Sequence, residues 1–243
     1  MSRGIIVGCD QKQEWMLPWW LSHFKLHNKL PVAFIDFGMT SHAKKWCKAH
    51  GTLIPLKAPQ DFVYPKNQIS SELAGKWEKR YGSHVWSARA GWFYKPFALL
   101  QTPFKETIWI DLDCEVLGSL AHLFNKLHQH SQIALARDNT GPFEDVGYNS
   151  GLIVYHSKSP LLMNWASSCI RKNHQFSSDH EVLTNLIQEG AVEISELPGK
   201  YNWIIKNCVN PEAVVLHWSG HWGKQIIRNS WGAKSIDFTP QYT

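Results

Sequence analysis

Two carboxylates spaced by one residue, Asp111 and Asp113, follow an apolar run at 108–110 that has the composition of a buried strand. Residues i and i+2 of an extended segment point the same way, so a strand that opens into a loop here would direct both carboxylates at one hard cation. A divalent cation held by two or three protein groups keeps positions open for phosphate oxygens. An Asp that caps a turn or the following helix is the structural alternative. The motif by itself does not distinguish a metal site from such a cap.

Other polar residues that could take part in binding or catalysis also follow apolar runs: Asp10, Asp138 and His217. Ligands of open α/β sheets bind beyond the carboxyl ends of the strands, which is where these residues are expected. This shared position favours a common binding site over a set of unrelated turn caps.

The elements that must position these residues alternate along the chain. Strands are predicted over 5–7, 31–35, 52–54, 107–111, 133–136, 151–155, 192–196 and 213–217. Helices are predicted over 17–30, 42–50, 86–101, 117–128, 159–174 and 179–189, and 58–82 is interpreted as an insertion because it is rich in Pro, Gln, Lys and Ser. The alternation predicts an α/β fold with βαβ units and a mainly parallel sheet. Without an internal repeat or a shift in composition, we expect one domain over 1–243.

The composition is that of a globular protein. Hydrophobic residues make up 44% of the 243 residues, and no apolar run approaches the length of about 20 residues that crosses a bilayer. Five scattered cysteines without a Cys-x-x-Cys pair suggest reduced thiols and no disulfide framework or zinc ribbon. The net charge of +5 includes no dense basic block, so no nucleic-acid partner is expected. The charge is compatible with an anionic nucleotide or with peripheral contact at the inner face of a membrane, and we expect a cytoplasmic chain or a catalytic piece of a larger anchored protein.

Five short patterns occur in order along the chain: CD at 9–10, DLD at 111–113, YNSGL at 148–152, LPGKYN at 197–202 and HWSG at 217–220. Together they resemble the GT-A glycosyltransferases, most nearly the retaining family 8 group, over nearly the whole chain. Each pattern is weak alone, and the ordered set is fairly specific. The resemblance implies a Rossmann-like three-layer α/β/α fold with a mainly parallel mixed sheet.

The resemblance also implies a metal site. Asp111, Asp113 and His217 would hold a manganese ion, or Mg²⁺, that grips the diphosphate of a nucleotide sugar. Carboxylate oxygen and imidazole nitrogen suit Mn²⁺, and the ion would neutralise the departing diphosphate. For His217 the alternative is a histidine of the core.

Further residues match positions that contact the donor in the family. Asp10 would contact the nucleoside, with a helix cap as an equal alternative. Asp138 would contact the donor sugar. A short turn formed by Asn149, Ser150 and Gly151 would line the sugar pocket, although an ordinary turn explains this tripeptide equally well.

Two helices carry the remaining donor-facing candidates. Arg89 and Lys95 match basic residues that face the donor, with solvated helix charges as the alternative. Asp179 would bind hydroxyls of the transferred sugar, and an acid at a helix N-terminus is its alternative. His180 replaces the amide that the family carries at this position, which leaves the identity of any nucleophile open.

The closing signature of the family, His-Phe-x-Gly-x-x-Lys, reads HWSGHWGK at 217–224, so Lys224 falls one residue late. The resemblance implies that Lys224 reaches the β-phosphate from a glycine-containing loop and stabilises the leaving group, with an ordinary surface lysine as the alternative. Trp218 and Gly220 would belong to the same substrate-binding loop. Trp218 and Trp222 would roof the diphosphate or stack on an acceptor sugar.

The leading hypothesis is a metal-dependent glycosyltransferase that moves a hexose from a UDP-sugar to a hydroxyl of a glycan, a lipid-linked sugar or a protein, with retention. A nucleotidyltransferase on a related fold and a non-catalytic carbohydrate-binding protein are the alternatives. A phosphatase of the haloacid dehalogenase type is disfavoured, because Glu115 stands where that class has Thr or Val. The sugar, the acceptor and the oligomeric state are not determined by these patterns.

Overall fold

The computed structural model describes residues 2–127, 133–140, 147–190, 193–206, 208 and 210–231. The strands are β1 (Arg3–Cys9), β2 (Val32–Asp36), β3 (Thr52–Pro55), β4 (Glu106–Ile110), β5 (Cys114–Val116), β6 (Ile133–Arg137), β7 (Tyr148–His156), β8 (Ser195–Leu197), β9 (Trp203–Ile204) and β10 (Val215–His217). The helices are α1 (Leu17–His27), α2 (Ser41–His50), α3 (Ser71–Tyr81), α4 (Val85–Leu100), α5 (Pro160–Lys172), α6 (Asp179–Gln188) and α7 (Gly220–Ser230). Short 3₁₀ helices span Glu14–Met16, Lys66–Gln68, Ala121–Lys126 and Gly199–Tyr201.

Within these residues, the main sheet has seven strands in the order β3-β2-β1-β4-β7-β6-β8. Strand β7 is antiparallel to β4 and to β6, and the other neighbouring pairs of this described sheet are parallel. Parallel neighbours need a crossover that returns the chain to the same edge, and α1 and α2 supply it between β1, β2 and β3. The predicted α/β class with a mainly parallel mixed sheet is therefore confirmed.

Both faces of the main sheet are buried, because successive strand residues point to opposite sides. On one face Ile5 and Val7 pack in a core cluster that includes Trp20 of α1. On the other face Ile6 packs in a second cluster that includes Trp165 of α5. Strands buried on both faces are apolar throughout, which is why the sequence pattern located them.

A second, small sheet places the end of the chain beside the Asp pair. Its order is β5-β10-β9, with β5 antiparallel to β10, and the register sets His217 opposite Cys114. The backbone N–H of Trp218 then donates to the carbonyl oxygen of Asp113 at 2.8 Å. Residues that are about a hundred positions apart in sequence are thus joined through main-chain hydrogen bonds.

Three predicted segments differ from the structure in their regular elements. The segment 58–82 is not simply an insertion without structure, because it contains α3, whose N-cap Ser70 accepts a hydrogen bond from the backbone N–H of Leu73. The helix predicted over 117–128 is found only as the 3₁₀ helix Ala121–Lys126, and residue 128 lies outside the described residues. The strand predicted over 192–196 is found as Ser195–Leu197, and residue 192 also lies outside.

The expectation of a glycine-containing loop around Lys224 is wrong, because α7 begins at Gly220. Gly220 has φ +77°, a conformation that favours glycine. Gly223 lies inside the helix, where a Cβ atom would be 2.2 Å from the carbonyl oxygen of Trp218. Glycine is therefore needed for close packing of α7 against the preceding strand end. In the described part of the chain, the helices are too short or too polar to cross a membrane.

Candidate active site

The Asp pair lies in a turn between β4 and β5. The backbone N–H of Cys114 donates to the carbonyl oxygen of Asp111 at 3.0 Å, which closes a turn over four residues. The backbone N–H of Asp111 donates to the carbonyl oxygen of Gly151 in β7 at 2.8 Å. The two carboxylates leave this turn with different partners, so they do not project side by side from an extended strand.

Asp113 is buried and has two basic partners. Its Oδ1 atom lies 3.4 Å from Nε2 of His217, and its Oδ2 atom accepts a hydrogen bond of 2.5 Å from Nζ of Lys224. Burial alone would raise the pKa of the Asp113 carboxyl, but the positive charges of Lys224 and His217 outweigh burial and hold this pKa well below its usual value. Burial would lower the pKa of Lys224, and Asp113 raises it overall. Asp113 is therefore an anion that faces the cationic Lys224, despite the one-residue shift of that lysine in the sequence.

A chain of amides orients the imidazole of His217. The backbone N–H of Gly151 donates to Oδ1 of Asn149 at 2.8 Å, and Nδ2 of Asn202 donates to the same oxygen at 2.8 Å. Oδ1 of Asn202 lies 3.0 Å from Nδ1 of His217. A backbone N–H can only donate, so it assigns the oxygen of Asn149 and then the amide orientation of Asn202. Nδ1 of His217 consequently carries a hydrogen, and Nε2 is directed toward Asp113.

The tripeptide Asn149, Ser150 and Gly151 belongs to strand β7, so its interpretation as a short turn is wrong. Gly151 is required by packing. A Cβ atom at this position would lie 2.5 Å from Nδ1 and Cε1 of His217 and 2.9 Å from Oδ1 of Asn202. The absent side chain makes room for the histidine ring against the strand.

Cys114 was not predicted as a site residue. Ligand atoms of Asp113, Cys114 and His217 lie within 4.8 Å of one another, and all three residues are buried. Burial raises the pKa of the Cys114 thiol. The only sequence signal was its position directly after the Asp pair, because the cross-strand contact with His217 depends on the register of β5 and β10.

Asp111 begins a second line of polar contacts. Its carboxylate oxygens accept hydrogen bonds from Nζ of Lys95 at 2.9 Å and from Nε1 of Trp109 at 2.6 Å. Lys95 also donates to the carbonyl oxygen of Ser150 at 3.2 Å and to its Oγ at 3.0 Å. Oγ of Ser150 in turn donates to Oδ2 of Asp179 at 2.8 Å. Lys95 is buried, and Asp111 and Asp179 outweigh burial in raising its pKa, so it is not a solvated helix charge.

Asp138 and His180 line a common cleft of about 500 Å³ beside α6. Oδ1 of Asp138 accepts hydrogen bonds from the backbone N–H of Thr140 at 2.8 Å and from its Oγ1 at 2.6 Å. Oγ of Ser178 lies 3.1 Å from Nδ1 of His180. Asp138 and His180, both predicted as site residues, thus line the same cleft.

Asp10 caps a turn and not a helix, because the N-cap of the following 3₁₀ helix is Gln13, so the predicted alternative of a helix cap is wrong. Its Oδ1 atom accepts hydrogen bonds from the backbone N–H groups of Lys12 at 3.0 Å and Gln13 at 3.1 Å. It lies just beyond the end of β1, which is a neighbour of β4 in the sheet. The contact of Asp10 with a nucleoside stays a prediction.

Arg89 is placed differently from Lys95 although both lie on α4. Only 1% of Arg89 is exposed, and its guanidinium donates to main-chain carbonyl oxygens of Tyr64, Asn173, Phe176 and Ser177. The predicted contact of Arg89 with the donor therefore has no support in its hydrogen bonds.

Two tryptophans flank the start of α7. Nε1 of Trp218 donates to Oε2 of Glu115 at 2.8 Å, and the rings of Trp218 and Trp222 have centroids 6.5 Å apart. Trp222 is 54% exposed and Trp218 packs partly against the core. Of the two, Trp222 presents an aromatic surface to solvent.

The donor set around Asp113 fits a divalent cation. Asp113 contributes hard carboxylate oxygen, and His217 directs Nε2 toward that oxygen because Asn202 occupies Nδ1. Asp111 is on the same turn but lies outside the tight group with Cys114, and its carboxylate is bonded to Lys95. The chemistry of the residues thus suits a cation site centred on Asp113 and His217.

No protein-family model matches the sequence, and no curated protein matches it. Several solved structures match the fold. Mouse xyloside xylosyltransferase 1 in its apo form is 14% identical, with a TM-score of 0.56 over 89% of this chain and 97% of that chain. The galactosyltransferase LgtC in complex with donor and acceptor sugar analogs is 11% identical, with a TM-score of 0.62 over 89% of this chain and 87% of that chain.

The apo form of the glycosyltransferase GlyE from Streptococcus pneumoniae TIGR4 is 17% identical, with a TM-score of 0.61 over 97% of this chain and 64% of that chain. At these identities the similarity establishes the fold. The chain has the GT-A fold, as the ordered motifs predicted.

Proposed function

We propose that this chain is a glycosyltransferase that transfers a hexose from a nucleotide sugar, most simply a UDP-sugar, to a hydroxyl of a glycan, a lipid-linked sugar or a protein. The observation that carries the proposal is the convergence of Asp113, His217 and Lys224 beside the carboxyl end of β4. Ligands of open α/β sheets bind at this edge. The similarity in fold to glycosyltransferases, one of them solved with donor and acceptor sugar analogs, supports the same assignment.

Asp113 and His217, with Asp111 on the same turn, would hold a divalent cation, Mn²⁺ or Mg²⁺. Such an ion, when bound, supplies positive charge for the diphosphate of the donor. His217 is prepared for this role because Asn202 holds Nδ1 and leaves Nε2 toward Asp113. Lys224 adds a cation at the same carboxylate, where it would stabilise the negative charge that develops on the leaving group.

On the sugar side, Asp179 and Ser150 are held by Lys95 in one hydrogen-bonded line, while Asp138 and His180 line the adjacent cleft. These groups would bind the hydroxyls of the transferred hexose and fix its orientation. The bond from C1 to the diphosphate oxygen breaks with its electron pair left on that oxygen. The acceptor oxygen bonds to C1 on the same face, its proton passes to the diphosphate oxygen, and configuration is retained.

The test is the release of nucleoside diphosphate from a panel of UDP- and GDP-sugars, measured with Mn²⁺ and with EDTA. The native chain is compared with Asp113→Asn, which removes the charge of the buried carboxylate. Asp61→Asn is the matched control, because Asp61 is exposed and its positive φ of 51° is well tolerated by asparagine. We expect metal-dependent release in the native chain and in the control, and its loss in Asp113→Asn.

The products distinguish the alternatives. Release of sugar 1-phosphate, with the nucleoside monophosphate freed or transferred, instead of nucleoside diphosphate would identify a nucleotidyltransferase. Binding of sugars without turnover of any donor, unaffected by EDTA, would identify a carbohydrate-binding protein. Equal activity of Asp113→Asn and the native chain would contradict the proposed site.

A further inference from the structure

Arg89 is an almost completely buried cation in the first half of α4, and its hydrogen-bond acceptors are main-chain carbonyls. Nε donates to Ser177 at 3.3 Å, and Nη1 donates to Tyr64 at 2.9 Å. Nη2 donates to Phe176 at 3.2 Å and to Asn173. Four of the five N–H groups of a guanidinium are thereby occupied in one fixed fork.

Three aromatic rings surround the same guanidinium. Its Cζ atom lies 4.5 Å from the ring centroid of Trp77, 5.2 Å from that of Phe93 and 5.5 Å from that of Trp86. Burial lowers the pKa of Arg89 to about 10, so the group still carries its charge at neutral pH. Attraction between a cation and ring faces is strongest in such water-excluded positions. Arg89 is therefore packed between an aromatic ring of α3 and two rings of its own helix, α4.

Three of the four carbonyls that Arg89 holds, those of Asn173, Phe176 and Ser177, belong to the link between α5 and α6. Asn173 follows the last residue of α5, and Ser177 precedes Ser178, the N-cap of α6. The backbone N–H of Ser177 donates to Oε2 of Glu181 at 2.7 Å, and Arg80 of α3 donates to Oε1 of Glu181 at 3.0 Å. The position at which α6 begins is thus determined by contacts with α3 and α4.

The first residue of α6 is Asp179, the acid at the end of the line from Asp111 through Lys95 and Ser150. The carbonyl oxygen of Asp179 also accepts a hydrogen bond from Nε1 of Trp165 at 2.9 Å. Helix α4 therefore supports Asp179 twice, through the buried Lys95 and through the buried arginine six residues earlier.

We propose that Arg89 is a positioning residue that holds the start of α6, and with it Asp179 and His180, in register with the transferred sugar. It does not contact the donor itself. This role rests on the proposed glycosyltransferase function. The role predicts different effects on sugar binding and on diphosphate binding. A change at Arg89 would disturb the groups that face the sugar. It would leave in place the groups that face the diphosphate, which are Asp113, His217 and Lys224.

The test compares Arg89→Lys with Arg3→Lys. Arg3 is the first residue of β1, at the end of the strand away from the candidate site, and its Nε pairs with Glu106 at 2.6 Å. A lysine keeps the charge and loses the fork. Binding of UDP with Mn²⁺ is measured by calorimetry, turnover is measured with the donor found in the panel, and amide hydrogen exchange is followed over 173–182.

We expect Arg89→Lys to bind UDP within about twofold of the native chain and to lose about 10- to 100-fold in kcat, the range that small misplacement of positioning groups produces. Exchange over 173–182 should be faster in Arg89→Lys and unchanged in Arg3→Lys. A loss of UDP affinity as large as the loss of kcat/KM would mean that Arg89 binds the donor phosphates, and would overturn the positioning role. Unchanged hydrogen exchange would also overturn it.

If Arg89→Lys does not fold, Trp77→Phe is a milder test of the same contact, because it replaces the nearest aromatic ring with a smaller one. Faster exchange over 173–182, with UDP affinity retained and kcat lowered, supports the role, and native exchange contradicts it. Absence of nucleotide binding in the native chain would overturn the proposed function. The hydrogen exchange of both variants would still decide whether Arg89 holds the start of α6.

Discussion

Oδ1 of Asn202 lies 3.0 Å from Nδ1 of His217, and this contact decides which ring nitrogen of the histidine faces Asp113. Asn202 is itself fully buried and donates to Asn149. If His217 holds the proposed cation, the amide that selects its tautomer is expected to affect metal binding almost as strongly as the ligand does.

Asn202→Ala should therefore weaken the apparent Mn²⁺ affinity of the protein by about 10- to 100-fold, as substitutions of groups that support metal ligands commonly do. Mn²⁺ binding followed by electron paramagnetic resonance, and the Mn²⁺ dependence of turnover, would measure it. Asn28→Ala is the control, because buried Asn28 loses hydrogen bonds with Gly118 and Leu120 without touching His217. Equal metal affinity in both variants would contradict the role of Asn202.

Gly151→Ala should displace the ring of His217, because the added Cβ would lie 2.5 Å from two of its ring atoms. Overpacking of this kind costs about 1–3 kcal/mol of stability, and metal-dependent turnover should fall with the displaced ligand. Thermal unfolding and turnover would be measured together. Gly75→Ala in α3 is the control, since nothing lies within 4 Å of its added Cβ and alanine favours the helix. If Gly151→Ala turned over donor at the native rate, the position of His217 in the structure would not matter for activity.

Lys224→Met should have two opposite effects. Turnover should fall about 100-fold, because a cation that stabilises the leaving diphosphate is lost. Mn²⁺ binding without nucleotide should become tighter, since Lys224 no longer occupies Oδ2 of Asp113. Lys76→Met, which removes an exposed lysine paired with Glu72, is the control for loss of charge. Weaker Mn²⁺ binding in Lys224→Met would show that the lysine does not compete for the carboxylate.

Cys114→Ala should change the choice of metal more than the activity with Mn²⁺. Oxygen, nitrogen and sulfur ligands within 4.8 Å of one another suit Zn²⁺, whereas carboxylate and imidazole alone suit Mn²⁺. Inhibition by Zn²⁺ should therefore be stronger in the native chain than in Cys114→Ala. Cys47→Ala, a similarly buried thiol elsewhere in the core, is the control and should keep native inhibition. Equal inhibition of all three proteins would exclude Cys114 as a ligand.

The central strands and the carboxylates that follow them could be read from the sequence. Residues such as Ile5, Ile6 and Val7 are buried on both faces, which produces a continuous apolar run that needs no tertiary information to be noticed. Because parallel strands bring their carboxyl ends to one edge, the positions of Asp111 and Asp113 followed from the same pattern.

Helices α3 and α7 were not predicted, and glycine explains the failure in α7. The resemblance implied a loop around Gly220 and Gly223, and the low intrinsic helix propensity of glycine agreed with it. Packing overrides that preference at Gly223, where a Cβ atom would collide with the carbonyl of Trp218. The contact involves neighbours in space, so local propensity carried no sign of it.

By itself, then, the sequence determined the α/β class and predicted the edge of the sheet at which the candidate site lies, and it singled out Asp113, His217 and Lys224, which the structure brings into contact. The tertiary structure decided how these residues are used. It set Cys114 opposite His217 by strand register, oriented His217 through Asn202, and directed Arg89 to main-chain carbonyls. The physical reason is that apolar periodicity is a local property, whereas hydrogen-bond partners and close contacts depend on segments that meet only when the chain is folded.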